Sequence, residues 1–168
     1  MGTLYPRLYE SIFSRHLAAE RQMIFVPGPR QVGKTTTCRR LGDVYLNIDD
    51  MDDRHTIMAG PSSLAARVTG IGKGGKRPVL VLDELHKWKK WKVFLKGFFD
   101  TYEGRVKIVV TGSSRLDMYR RGGDSMMGRY FPYRMHPLSV GEIARQEFPR
   151  TPMRPCVRVP EREYAALF

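Results

Sequence analysis

At 168 residues, with 42% apolar and 27% charged side chains, the chain is large enough for one soluble-type domain around a buried core. Its apolar runs fall short of the ~18 residues of a membrane span, and its first residues lack the apolar core of a signal peptide. Its 29 Lys and Arg against 17 Asp and Glu leave a net charge of +12, a field that attracts polyanions, whether nucleic acid or nucleotide phosphates.

Arg7–Glu20 reads as a helix, with Leu8, Ile12 and Leu17 on one face, Phe13 beside them and Pro6 at its start. Met23–Val26 is a short apolar strand closed by Pro27 and Gly28. Gly33–Leu41 follows as a helix that Gly42 ends, and Val44–Ile48 is a second strand. The acidic run from Asp49 opens a polar segment with helices up to Val68. Thr69–Arg77 is a glycine- and lysine-rich spacer before a third strand, Pro78–Leu82. Trp88, Trp91, Leu95, Phe98 and Tyr102 recur at helical spacing and predict a helix over Trp88–Tyr102. Val106–Val110 is a fourth strand, Ser114–Arg121 a helix broken by Gly122 and Gly123, Arg129–His136 an alternating fifth strand and Ser139–Gln146 a last helix. Beyond Phe148, Pro149, Pro152, Pro155 and Pro160 argue against regular structure. Strands alternating with helices predict a parallel sheet covered on both faces, an α/β/α sandwich.

Gly28-Pro29-Arg30-Gln31-Val32-Gly33-Lys34-Thr35 matches the phosphate-loop pattern G-x-x-x-x-G-K-[ST] in full, between a strand and a helix as its mechanism requires. Glycines let the backbone turn successive N–H groups inward, and the helix start adds the positive end of its dipole. Lys34 supplies a compact charge for the β- and γ-phosphates, Thr35 a hydroxyl for Mg²⁺, and Thr36 sits beside them on the first turn. A nucleoside triphosphate and Mg²⁺ are the ligands this implies, with ATP over GTP left open by the pattern itself. The apolar run Val79–Leu82 ends in Asp83 and Glu84, at the strand edge where open α/β sheets bind ligands. Asp83 is the candidate metal ligand. Glu84 is the candidate residue for orienting or deprotonating the attacking water.

Ile108–Val110 turns polar at Thr111-Gly112-Ser113-Ser114. Thr111 and Ser113 are alternative contacts to a γ-phosphate or water, and Ser113 or Ser114 also suits a helix cap. Arg129 is a candidate charge-stabilising arginine, with Arg115, Arg120, Arg121 and Arg134 as competitors. The lysines around Trp88 and Trp91 read as a solvated face beside an inward aromatic stripe. His86 reads as a structural neighbour of Glu84, and His16, His55 and His136 lack metal spacing. Cys38 reads as a small buried residue. With Cys156 it completes the cysteines of the chain, a usage that fits a reducing, cytoplasmic compartment.

Together these blocks resemble an AAA-like ATPase domain (GPRQVGKTTT at 28–37, YLNIDD at 45–50, VLVLDELHKWKKW at 79–91, FLKGFFD at 94–100, IVVTGSSRLDMYRR at 108–121, MGRYFPYRMHPLSVGE at 127–142). The resemblance implies a phosphate-loop ATPase core over residues 1–148, with a five-stranded, mostly parallel sheet in the order 5-1-4-3-2. It implies that Arg129 senses nucleotide or acts as a finger arginine. It leaves Asp49 either facing the site or capping a helix. ATP is the implied partner, with a second copy of the chain or a nucleic acid as further ones and no membrane. Domains of this kind are commonly followed by a second domain, so residues 149–168 are expected to be either the truncated start of that domain or the tail of a stand-alone one.

Overall fold

The computed structural model describes residues 6–72, 76–113 and 126–144. Five parallel strands form one sheet: β1 (Met23–Pro27), β2 (Val44–Asn47), β3 (Val79–Asp83), β4 (Lys107–Gly112) and β5 (Tyr130–Pro132). The spatial order is β2-β3-β4-β1-β5, which read from the other edge is the expected 5-1-4-3-2. The helices are α1 (Leu8–Ala19), α2 (Lys34–Leu41), α3 (Met51–Met58), α4 (Pro61–Thr69), α5 (Trp91–Tyr102) and a single turn α6 (Val140–Ile143).

Alternation along the strands divides the core in two. Met23, Phe25, Val44, Leu46, Leu80, Leu82, Ile108 and Val110 face one side, where α3, α4 and α5 add Ile57, Leu64, Val68, Leu95 and Phe98. Ile24, Val26, Val79, Val81 and Val109 face the other, with Phe13 of α1 and Cys38 of α2. Cys38 is buried, and that burial raises its thiol pKa.

Several boundaries differ from the sequence reading. The helix expected from Trp88 begins at Trp91, because a 3-10 turn occupies Leu85–Lys87 and Trp88 is extended. Trp91 still enters the core, and Trp88 packs against Phe94 with ring centroids 5.2 Å apart. The fourth strand runs on to Gly112. The expected fifth strand shortens to three residues. Tyr133 and Met135 still donate their N–H groups to Phe25 and Pro27. Pro27 has no N–H to return, so the ladder stops there. The helix expected at 114–121 and the tail at 149–168 lie outside the described residues.

Phe98 is fully buried between Phe94 and Tyr102. Phe98→Ala is expected to cost about 3–5 kcal/mol, read as a shift of the urea unfolding midpoint.

Candidate functional site

The loop between β1 and α2 has the curl its sequence predicts, with a different division of labour among its residues. Gly33 is left-handed at φ +87°, a conformation glycine adopts without strain. Gln31 is also at positive φ, 63°. Gly28 is required for another reason: a Cβ there would lie 2.4 Å from the carbonyl oxygen of Met135, which crosses directly over it. No side chain caps the start of α2, so its first N–H groups remain available to an anion. Lys34 is buried, and its Nζ donates to the carbonyl of Gly28 at 3.0 Å and to that of Pro29. Burial lowers its pKa, opposed by the carboxylates of Glu84 and Asp83. Pro29, Arg30, Thr35 and Thr36 are exposed.

Asp83 ends β3 only 2% exposed. It shares a sheet face with Val79 and Val81, the face covered by α2. The same alternation brings Tyr45 from β2 and Thr111 from β4 to that side. Three hydroxyls therefore converge on one carboxylate. Thr35 donates to Oδ2 at 2.8 Å, Tyr45 to Oδ2 at 2.6 Å, and Thr111 to Oδ1. Thr111 is fully buried, so it supports Asp83 rather than facing the mouth of the loop. Tyr45 was absent from the sequence reading, although the period of β2 already placed it on this face. The Arg39 guanidinium lies 4.1 Å from its ring centroid, and burial, then Asp83, raise its pKa.

Glu84 turns the chain through a left-handed conformation at φ 55°. Gln31 and Glu84 are the two non-glycine residues at positive φ among those described, and both border this site. The Glu84 Oε2 lies 3.4 Å from Lys87 Nζ and 3.8 Å from His86 Nε2. Ser113 Oγ meets the same His86 nitrogen at 3.1 Å, which brings Ser113 to the side of His86 that faces Glu84. Asp49 pairs with Lys87, which places it on this edge. The cap of α3 is Asp50, accepting from the amides of Asp52 and Asp53. Among the described residues, no three His, Cys, Asp or Glu side chains form a metal-holding group. Thr35 and Asp83 alone suit Mg²⁺, which keeps waters and takes phosphate oxygens rather than a protein cage.

The AAA domain family matches residues 20–144. The chain belongs to that family. No curated protein matches it. Two solved structures share the fold, each with a TM-score of 0.50. PCH-2 of C. elegans is 16% identical, with 82% of this chain and 40% of that one covered. The ORC1 protein of Aeropyrum pernix, solved in complex with DNA, is 18% identical, with 85% and 48% covered. The chain thus spans less than half the length of either.

Within this AAA domain, Arg129 does not join the site of its own chain. It precedes β5, and its carbonyl accepts from Met23 at the start of β1. In a parallel sheet that is the edge opposite the phosphate loop. Its guanidinium grips Asp100 through Nε at 2.6 Å and Nη2 at 2.9 Å. Of its competitors, Arg134 is exposed with its carbonyl on Tyr9, and Arg115, Arg120 and Arg121 lie outside the described residues.

Two charged residues near the loop escaped the sequence reading. Arg7 is 9% exposed and Glu142 4%. Arg7 Nε donates to Glu142 Oε1 at 2.9 Å, and its other nitrogens donate to the carbonyls of Val32 and His136. Glu142 also accepts from the amides of Leu8 and Ser139, each at 2.9 Å, and from the Ser139 hydroxyl. A cavity of about 220 Å³ lies beside the loop, lined by Arg7, Val32, Gly33, Thr36, Pro137 and Leu138 among others. Among the described residues, no helix is long and apolar enough to cross a membrane.

Burial alone would raise the Glu142 carboxyl, but its hydrogen bonds from Ser139, Arg7 and Leu8 outweigh this and hold it below the ordinary value. The folded value thus lies below the unfolded one. Its stabilisation is complete above the unfolded pKa of about 4.3 and is lost as pH falls through the lowered value. Glu142→Gln is expected to lose about 3 kcal/mol at neutral pH and to flatten the acid limb of the stability curve, measured by denaturant titrations between about pH 6 and about pH 3.

Proposed function

We propose that this AAA domain binds ATP with Mg²⁺ in the loop Gly28–Thr36 and hydrolyses it. The reading rests on one observation above all: Thr35 and Asp83 meet at 2.8 Å beside the buried Lys34, in a loop whose helix start has no side-chain cap. That donor set is what a magnesium-bound triphosphate needs. Family membership favours adenine as the base, and the cavity beside Val32 and Thr36 adjoins the loop where a base and ribose would extend.

The loop N–H groups and Lys34 bind the β- and γ-phosphates, with Lys34 exchanging the carbonyls of Gly28 and Pro29 for phosphate oxygens. Thr35 and Asp83 hold the metal, and Thr111 and Tyr45 hold Asp83 in place. Bound Mg²⁺ supplies charge neutralisation at the phosphates. Glu84 orients the attacking water and takes its proton, with Lys87 and His86 fixing the carboxylate. Ser113 acts through His86.

A second reading is a nucleotide-loaded switch that turns over only when a neighbouring copy supplies an arginine. It is favoured by the position of Arg129, held by Asp100 on the far edge of the sheet. The net charge of +12 also favours a polyanionic partner such as nucleic acid.

Lys34→Ala is expected to weaken ATP binding at least about tenfold, an effect worth ~1.4 kcal/mol. Glu84→Gln is expected to keep binding and lose about 100-fold or more in phosphate release. EDTA should abolish release. Wild-type turnover in the Glu84 variant would remove that residue from its role. Absence of ATP binding by the unaltered chain would end the proposal. A specific rate that rises with protein concentration selects the arginine-sharing assembly, and one that rises with added DNA at low salt selects the nucleic-acid partner.

A further inference from the structure

The contact of Arg7 with Val32 bears on the phosphate loop itself. Arg7 lies outside the residues matched by the family, at the cap of α1. Its guanidinium spreads over three partners: the Glu142 carboxylate, the His136 carbonyl and the Val32 carbonyl within the loop. The Val32 carbonyl and the Gly33 N–H belong to one peptide unit, and no peptide bond among the described residues is cis. In a planar trans unit the C=O and N–H point in opposite directions. Holding the carbonyl towards Arg7 therefore turns the Gly33 N–H away from Arg7.

Gly33 has φ +87°, and without a side chain the peptide before it is free to rotate. Arg7 supplies the constraint that the glycine lacks. A Cβ at Gly33 would lie 3.2 Å from the Arg7 Nη1, so the two are packed as well as hydrogen-bonded through the loop.

The other arms of the guanidinium tie this peptide to the end of the described chain. Glu142 reaches Arg7 through Oε1 and binds Ser139 through Oε2, closing the cap of α6. The segment from His136 to Glu142 and the loop at Val32 thus share one planar cation, whose fork serves all three directions at once.

We propose that Arg7 is a positioning residue: it locks the Val32–Gly33 peptide with its N–H presented to phosphate, and it couples that peptide to α6. This rests on the loop binding ATP as proposed above. By linkage, nucleotide binding stabilises the arrangement of residues 136–142, and loosening that segment weakens nucleotide binding by the same factor.

The test compares the unaltered chain with Arg7→Lys and Arg7→Ala by Mg·ATP titration calorimetry, urea denaturation and hydrogen exchange. Lysine keeps a cation beside Glu142 but has no planar fork. Arg7→Lys is therefore expected to recover most of the stability that Arg7→Ala loses, yet to bind Mg·ATP at least tenfold more weakly. In the unaltered chain, Mg·ATP is expected to slow amide exchange over residues 139–144, and in Arg7→Lys that response should vanish while protection of the loop persists. A purely structural arginine would not separate stability from affinity in this way. Affinity in Arg7→Lys equal to that of the unaltered chain would overturn the inference, as would tight binding by the unaltered chain with no change at 139–144. Should neither variant fold, the exchange response of the unaltered chain decides alone. Failure of the unaltered chain to bind ATP is a different result, one that removes the proposed function itself.

Discussion

The candidate site is organised around one carboxylate that the sheet delivers almost dry. A charge as buried as Asp83 costs several kcal/mol unless its oxygens are satisfied. Here the Thr35, Tyr45 and Thr111 hydroxyls satisfy it, each from a different element. Hydrogen bonds to an ionised group contribute about 1.5–3 kcal/mol each, enough to offset that cost. Three strands and the start of α2 are therefore tied together at the two oxygens of Asp83. Lys34 lies close enough to feel Asp83, yet its Nζ turns to the loop's own carbonyls. The positive and negative groups are held near each other without collapsing into an ion pair.

That arrangement follows from two periodicities meeting at one sheet edge. Alternation in β3 carries Val79, Val81 and Asp83 to the α2 side, while Leu80 and Leu82 lock the strand into the opposite core. Packing on both faces pins the register, since a one-residue slip would exchange buried aliphatics for the carboxylate. The strained turn at Glu84 then redirects the chain, so the adjacent carboxylates serve different neighbours. Asp83 looks inward to hydroxyls, and Glu84 outward to Lys87 and His86.

The parts legible in the sequence are those written locally. The phosphate-loop pattern at Gly28–Thr35 and the pair at Asp83 and Glu84 are legible from spacing, because each lies on contiguous backbone. The strands of the sheet were visible as apolar runs, and their order came with the family resemblance. Side chains meeting across long separations were not visible. Arg7 and Glu142 stand at opposite ends of the described chain, and nothing near either announces the other. Thr111, one of two alternatives with Ser113 for a contact to phosphate or water, bonds Asp83, a partner 28 residues away that its own strand does not announce. The resemblance offers Arg129 as a nucleotide-sensing or finger arginine, and as a residue preceding a strand parallel to β1 it lies at the end of the sheet opposite the loop of its own chain. The break at Trp88 was hidden because helical spacing continues through a residue that is itself extended.

The brevity of β5 has a consequence for self-association. Tyr133 turns its N–H inward to Phe25, so alternation points positions 130 and 132 away from the sheet. Position 132 is a proline, which offers an incoming strand a carbonyl but no N–H. Among the described residues β5 is the border of the sheet, beside the exposed ring of Phe131, and with one donor missing it is a weaker template for cross-chain strand pairing than an unbroken strand would be.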